Sequence, residues 1–103
     1  MAIFRKRANR GWEAALHEVQ AALERARAEA AVAAEQLASL RADAEEAHLR
    51  SLVSENTADI RDARHAAGHA ERLERELQRL TERVASLEAE EHEILYRPLF
   101  DEE

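Results

Sequence analysis

Apolar residues recur along this chain at alternating spacings of three and four, in two runs that mirror each other. The first run is Trp12, Leu16, Val19, Leu23, Ala26, Ala30, Ala33, Leu37, Leu40, Ala44 and Ala47. The second is Ala63, Ala66, Ala70, Leu73, Leu77, Leu80, Val84, Leu87, Glu91 and Ile94, with one carboxylate in the series. This alternation gathers each run into a single stripe on one helix face, the a and d positions of a heptad seam. A strand would need alternation by two. With two Gly and one Pro in 103 residues, the chain also lacks the turns a sheet requires.

The two runs are not one seam. Continuing the first phase past residue 51 would bury Arg61, His65, Gly68 and Arg72, which an apolar seam cannot hold. The phase breaks within Ser51-Leu-Val-Ser-Glu-Asn-Thr-Ala-Asp59, a stretch that supplies capping residues. Asn56 or Thr57 is the expected cap, with Asp59 favourable in the following first turn. The expectation is an all-α, antiparallel two-helix coiled-coil hairpin. Helix 1 covers about 11–52, the turn about 53–57 and helix 2 about 58–96. A basic arm (1–10) and an acidic tail (97–103) flank it.

A hairpin about that turn predicts a register. Leu16 faces Ile94, Leu23 faces Leu87, Ala26 faces Val84, Ala33 faces Leu77, Leu37 faces Leu73 and Leu40 faces Ala70. Large side chains tend to meet small ones, which keeps the seam even in thickness. Toward the turn the layers become Ala on Ala, a chemically plain end. One such seam is a thin core for a chain this long, and Glu91 opposite Val19 interrupts it. The expectation is therefore that the hairpin dimerises into a four-helix bundle or accepts a partner. Ala14, Ala21, Ala28 and Val32 offer a second face on helix 1.

Charge and aromatic content single out the termini. Residues 1–10 carry Arg5, Lys6, Arg7 and Arg10 and no acid, whereas the remainder has 11 basic against 22 acidic residues. An acidic body repels nucleic acid and anionic membrane, so only the first ten residues could serve either. The aromatics are Phe4, Trp12, Tyr96 and Phe100, all near the ends that a hairpin brings together. Aromatic side chains anchor interfaces, so Ile3, Phe4, Trp12, Tyr96, Leu99 and Phe100 are the candidate protein-binding residues. The competing assignment makes Trp12 and Tyr96 an internal plug of the open end. Pro98 is expected to stop helix 2 and release Leu99-Phe100 as a short peptide.

The opening Met1-Ala-Ile-Phe-Arg-Lys-Arg7 resembles the start of phage-shock and ESCRT-III-like membrane-remodelling proteins, in which a short amphipathic segment precedes a helical hairpin. The resemblance implies docking of Ile3, Phe4 and the basic cluster on an anionic bilayer. It covers those few residues only, and no residue roles are carried over. The Leu99-Phe100 pair is similar to peptides that dock on bacterial sliding clamps, without their upstream Gln, which implies a regulator of a nucleic-acid machine. Direct nucleic-acid contact through four cations would be weak and salt-sensitive.

Catalytic signatures are missing from the sequence. It has no Cys, no phosphate-cradling Gly-rich loop and no nucleophile elbow. His65 and His69 stand four apart, with Asp62 one turn earlier and His48 on the other helix, a weak metal-ligand candidate set. Solvated histidines are the plainer assignment. Acidic and basic residues alternate over Glu71–Arg83, the pattern of a solvated face laced by ion pairs. The expectation is a non-enzymatic adaptor, scaffold or regulator with no cofactor, binding a protein partner or itself. No apolar run is long enough for a membrane span, and a cytoplasmic location is expected, with peripheral membrane attachment as a variant.

Overall fold

The computed structural model describes the backbone of residues 2–101 and the side chains of residues 11–96. It consists of two helices, α1 (Ala2–Ser54) and α2 (Thr57–Asp101), packed antiparallel as a hairpin. The expectations for Met1, Glu102 and Glu103, and for every side chain of 1–10 and 97–103, lie outside the described residues.

The turn is Glu55-Asn56, within the stretch where the heptad phase breaks. The Glu55 amide donates to the Ser51 carbonyl at 3.2 Å, closing α1. Glu55 then takes the left-handed backbone conformation (φ 52°), the position after a helix end that usually carries Gly. Asn56 is the N-cap of α2: its Oδ1 accepts from the Ala58 amide at 2.8 Å, and its carbonyl accepts from the Ile60 amide at 3.0 Å. Ser54 Oγ donates to Asp59 Oδ2 at 2.5 Å, which ties the last residue of α1 to the first turn of α2.

Two boundaries differ from the sequence expectation. The basic stretch is helical from Ala2, because Ala, Arg and Lys favour helix and nothing before Gly11 breaks it. Helix α2 likewise runs through Pro98 to Asp101 instead of stopping there. Proline has no amide hydrogen, so the Ile94 carbonyl four residues earlier loses its usual donor. The indole Nε1–H of Trp12 donates to that carbonyl from the other helix. An orphaned acceptor is thereby satisfied, and the helix survives its proline.

The chain forms two compact units. The terminal unit comprises residues 1–28 and 81–103, the turn unit residues 29–80. In the terminal unit, Val19, Leu23, Ala26 and Leu87 form a buried cluster, with Leu16, Ala22, Val84 and Ile94 packed against it. All of these except Ala22 are residues the predicted register brings together. In the turn unit the buried apolar residues are Ala33, Leu37 and Ala47. Every predicted seam position is at least partly buried, Glu91 included.

Burial is lopsided between the helices. Among the described residues six of the buried apolar side chains belong to α1 and one, Leu87, to α2. The seam pattern accounts for part of this, at Ala26 and Ala33. A long side chain laid over a small one covers it while leaving its own flank in water. The register sets Leu77 over Ala33, and the alanine is buried while the leucine remains only partly buried.

Candidate interaction surfaces

The two flanks of the terminal unit differ. On one, Arg27 Nη2 lies 3.4 Å from Glu88 Oε2, and Gln20 Nε2 donates to Glu91 Oε2 at 3.2 Å. The second of these explains how a carboxylate occupies the seam: Glu91 is only partly buried, and its head is hydrogen-bonded across to α1. That flank keeps a hollow of about 360 Å³ between Gln20, Leu23, Glu24, Arg27 and Glu91, and the other flank carries a larger, unbridged groove of about 430 Å³. Ala15, Val19 and Ala22 line it from α1, Leu87 and Ile94 from α2, and Glu18, Glu90 and Glu93 stand at its rim.

The turn unit repeats the bridged flank with Arg41 Nη2 3.2 Å from Glu74 Oε1. Arg27 to Arg41 and Glu88 to Glu74 are both steps of two heptads, so each unit keeps the same antiparallel register. These pairs are half-exposed and each contributes about 0.2–1 kcal/mol, enough to discriminate registers more than to hold the fold. The turn unit also has an open groove, about 510 Å³, between Gln36, Ser39 and Leu40 of α1 and His69, Arg72, Leu73 and Glu76 of α2. Arg79 pairs with Glu76 one turn away, and Arg50 Nη2 with Glu46 Oε1 at 3.3 Å. Solvated ion pairs do lace these faces.

The plain, Ala-rich turn end expected from the sequence is not plain. Leu49 (55% exposed), Leu52 (61%), Val53 (88%) and Ile60 surround the turn with aliphatic surface in water. Their signal in the sequence was the spacing of Leu49, Leu52 and Val53, one helical face turned away from the seam. The expected helix end at about residue 52 and turn from about residue 53 obscure it. The second face suggested on α1 is solvent-facing: Ala14, Ala21 and Ala28 are exposed and Val32 is 53% exposed.

The described aromatics divide in role. Trp12 is partly buried and its indole N–H is committed to Ile94, so it joins the two helices of the terminal unit as the plug assignment requires. Tyr96 and its neighbour Leu95 are 47% and 40% exposed. The Tyr96 ring packs against His92 with centroids 4.4 Å apart. Ile3, Phe4, Leu99 and Phe100 lie on helical backbone with side chains outside the described residues, as do Arg5, Lys6, Arg7 and Arg10.

The histidine set does not converge. The His65 and His69 rings lie 5.7 Å apart and tilted at 59°, one helical turn apart, but no group of three or more metal-ligating side chains occurs among the described residues. In an antiparallel pair of helices the two flanks are distinct. The bridged flank includes position 48 by heptad repeat from Arg27 and Arg41, whereas Asp62 falls on the flank of His69. His48 and Asp62 therefore belong to opposite sides. No described helix is long and apolar enough to cross a membrane.

Fold and surfaces together define a two-helix hairpin with open apolar grooves along its seam. Comparison of the chain with protein families, with curated proteins and with solved structures finds no match in any of the three.

Proposed function

We propose that this chain is a non-enzymatic interaction protein that works by helix packing, completing its half-covered seam with helices from another chain. One observation carries the reading. Leu73, Leu77, Leu80 and Val84 of α2 occupy seam positions, yet each stays partly exposed, and grooves floored by seam residues remain open in both units. An amphipathic helix laid into such a groove buries its own apolar stripe and the exposed leucine flanks together. Tyr96 and Leu95 add exposed apolar surface in the terminal unit, and Leu49, Leu52, Val53 and Ile60 add it in the turn unit. Open, solvated grooves suit docking better than catalysis, which needs a concave and partly dry pocket.

Photo-cross-linking in the cell of origin tests this. A photoreactive phenylalanine analogue replacing Leu73 or Leu95 is expected to trap a protein adduct that the analogue at Glu82, a solvent-facing position, does not. Absence of any adduct at both Leu73, which lines a groove, and the exposed Leu95, with helix content intact, overturns the reading.

A further inference from the structure

We propose that the groove of the terminal unit receives the basic N-terminal segment of a second copy of this chain, residues 2–10, so that two hairpins join by reciprocal exchange of their α1 N-termini. This rests on the reading of the chain as a helix-packing binder and names the partner.

The groove is built to admit a helix. Its floor consists of Val19 and Leu87, 6% and 7% exposed, with Ile94 beside them. Its α1 wall is low because Ala15 and Ala22 stand where the next three heptads carry Glu29, Gln36 and Asp43. Small residues at those positions let another backbone come close.

The rim specifies charge. Glu18, Glu90 and Glu93 are exposed, and among the described residues none of them has a cationic partner. The opposite flank differs, since Glu88 and Glu91 there are bonded to Arg27 and Gln20. An apolar floor with an all-acidic rim complements an apolar segment flanked by cations. The chain has one such segment. Residues 1–10 carry Ile3, Phe4, Arg5, Lys6, Arg7 and Arg10 with no acid, in a protein otherwise strongly acidic.

That segment cannot serve its own groove. Helix α1 is uninterrupted from Ala2 to Ser54, so residues 2–10 continue along the axis away from Ala15 and Ala22. At 1.5 Å per residue, Lys6 stands about 14 Å up the helix from Ala15. Reaching back would require a break that the helix does not have. A second copy meets the groove without one. If each copy places its basic segment in the other's groove, the contact is isologous and closes as a two-fold dimer.

Charge reversal on the full chain provides the test, read by light-scattering mass with helix content checked by circular dichroism. The unaltered chain is expected to be a dimer at up to about 0.1 mM, dissociating as salt screens the contact. One variant carries Arg5→Glu, Lys6→Glu, Arg7→Glu and Arg10→Glu; the other carries Glu18→Lys, Glu90→Lys and Glu93→Lys. Each alone is expected to be monomeric, because segment and groove then carry the same sign. Mixed, they are expected to recover the dimer mass, since both exchanged contacts again pair opposite charges. A control with Glu35→Lys, Glu45→Lys and Glu71→Lys, matched in charge change but away from the groove, is expected to stay dimeric.

Should a reversed variant lose its helix content, Ala22→Gln fills the groove with a good helix former and is expected to weaken dimerisation by about tenfold or more. A monomeric unaltered chain, reversed variants that remain dimeric, a mixture that fails to recover the dimer, or a dimer unaffected by Ala22→Gln overturns the proposal. A control that dissociates like the groove variant also overturns it, by tracing the effect to net charge. A monomer that still forms an adduct with another protein at Leu73 or Leu95 removes this inference and leaves the helix-packing function standing.

Discussion

The terminal and turn units use the same heptad pattern and end with different cores. In the terminal unit Val19, Leu23, Ala26 and Leu87 enclose one another, and Trp12 closes on Ile94. In the turn unit the buried residues are Ala33, Leu37 and Ala47, two of them too small to contribute much area, and the surrounding aliphatics face water. Identical periodicity therefore does not imply equal stability. Side-chain size at the seam sets how much surface each layer removes from water, at about 25 cal/mol per Å². The terminal unit is the better-held part, and the turn unit depends more on its capping residues.

The largest expected effect bears directly on that difference. Leu23→Ala, at a site 2% exposed, should cost about 2.7–5 kcal/mol in urea unfolding followed by circular dichroism. Leu73→Ala, partly exposed in the turn unit, should cost clearly less, about 1–2 kcal/mol. Equal losses would break the comparison.

Trp12→Phe keeps the ring and removes the donor to Ile94, and should cost about 1–3 kcal/mol by leaving a part-buried carbonyl unpaired. In a Pro98→Ala background an amide hydrogen returns four residues after Ile94, and the same substitution should cost noticeably less. A full double-mutant cycle measures this coupling. Additive effects would mean that Trp12 does not compensate for the proline.

Smaller gains are expected where the backbone is ill-served. Glu55→Gly relieves a left-handed φ of 52° and should stabilise the hairpin by about 1 kcal/mol. Gly68→Ala should contribute up to about 1 kcal/mol, because the added Cβ would meet only the end of the Arg72 side chain at an ordinary 3.6 Å. Both are read as shifts in thermal midpoint. The smallest change is expected from Val53→Lys: the site is 88% exposed, so stability should move by no more than about 0.5 kcal/mol. A larger loss would show that the aliphatic surface of the turn is packed in solution, which would narrow the gap between the units.

Much of the fold was legible because its determinants are local and periodic. Spacings of three and four define a helix face without reference to anything distant, so every seam position from Trp12 to Ile94 was readable. The phase break identified the turn, and Asn56 was one of two capping candidates. The surfaces were less legible. Leu49, Leu52 and Val53 were obscured because α1 runs on to Ser54, so the turn begins later than the phase break indicates and all three share a helix. Ala15 and Ala22 carry no signal of their own among so many alanines, and the groove they open exists only once α2 lies alongside.

By itself, then, the amino-acid order determined two helices, their seam and the antiparallel register, because these follow from repeat period and side-chain size. Tertiary structure decided which flank is bridged, and that Ala33 is covered while Leu77 over it is not. It also decided that α2 survives Pro98. The physical reason is common to all three. Each depends on a partner that is near only after the chain has doubled back: Glu88 for Arg27, Leu77 for Ala33, and the Trp12 indole for a carbonyl 82 positions away.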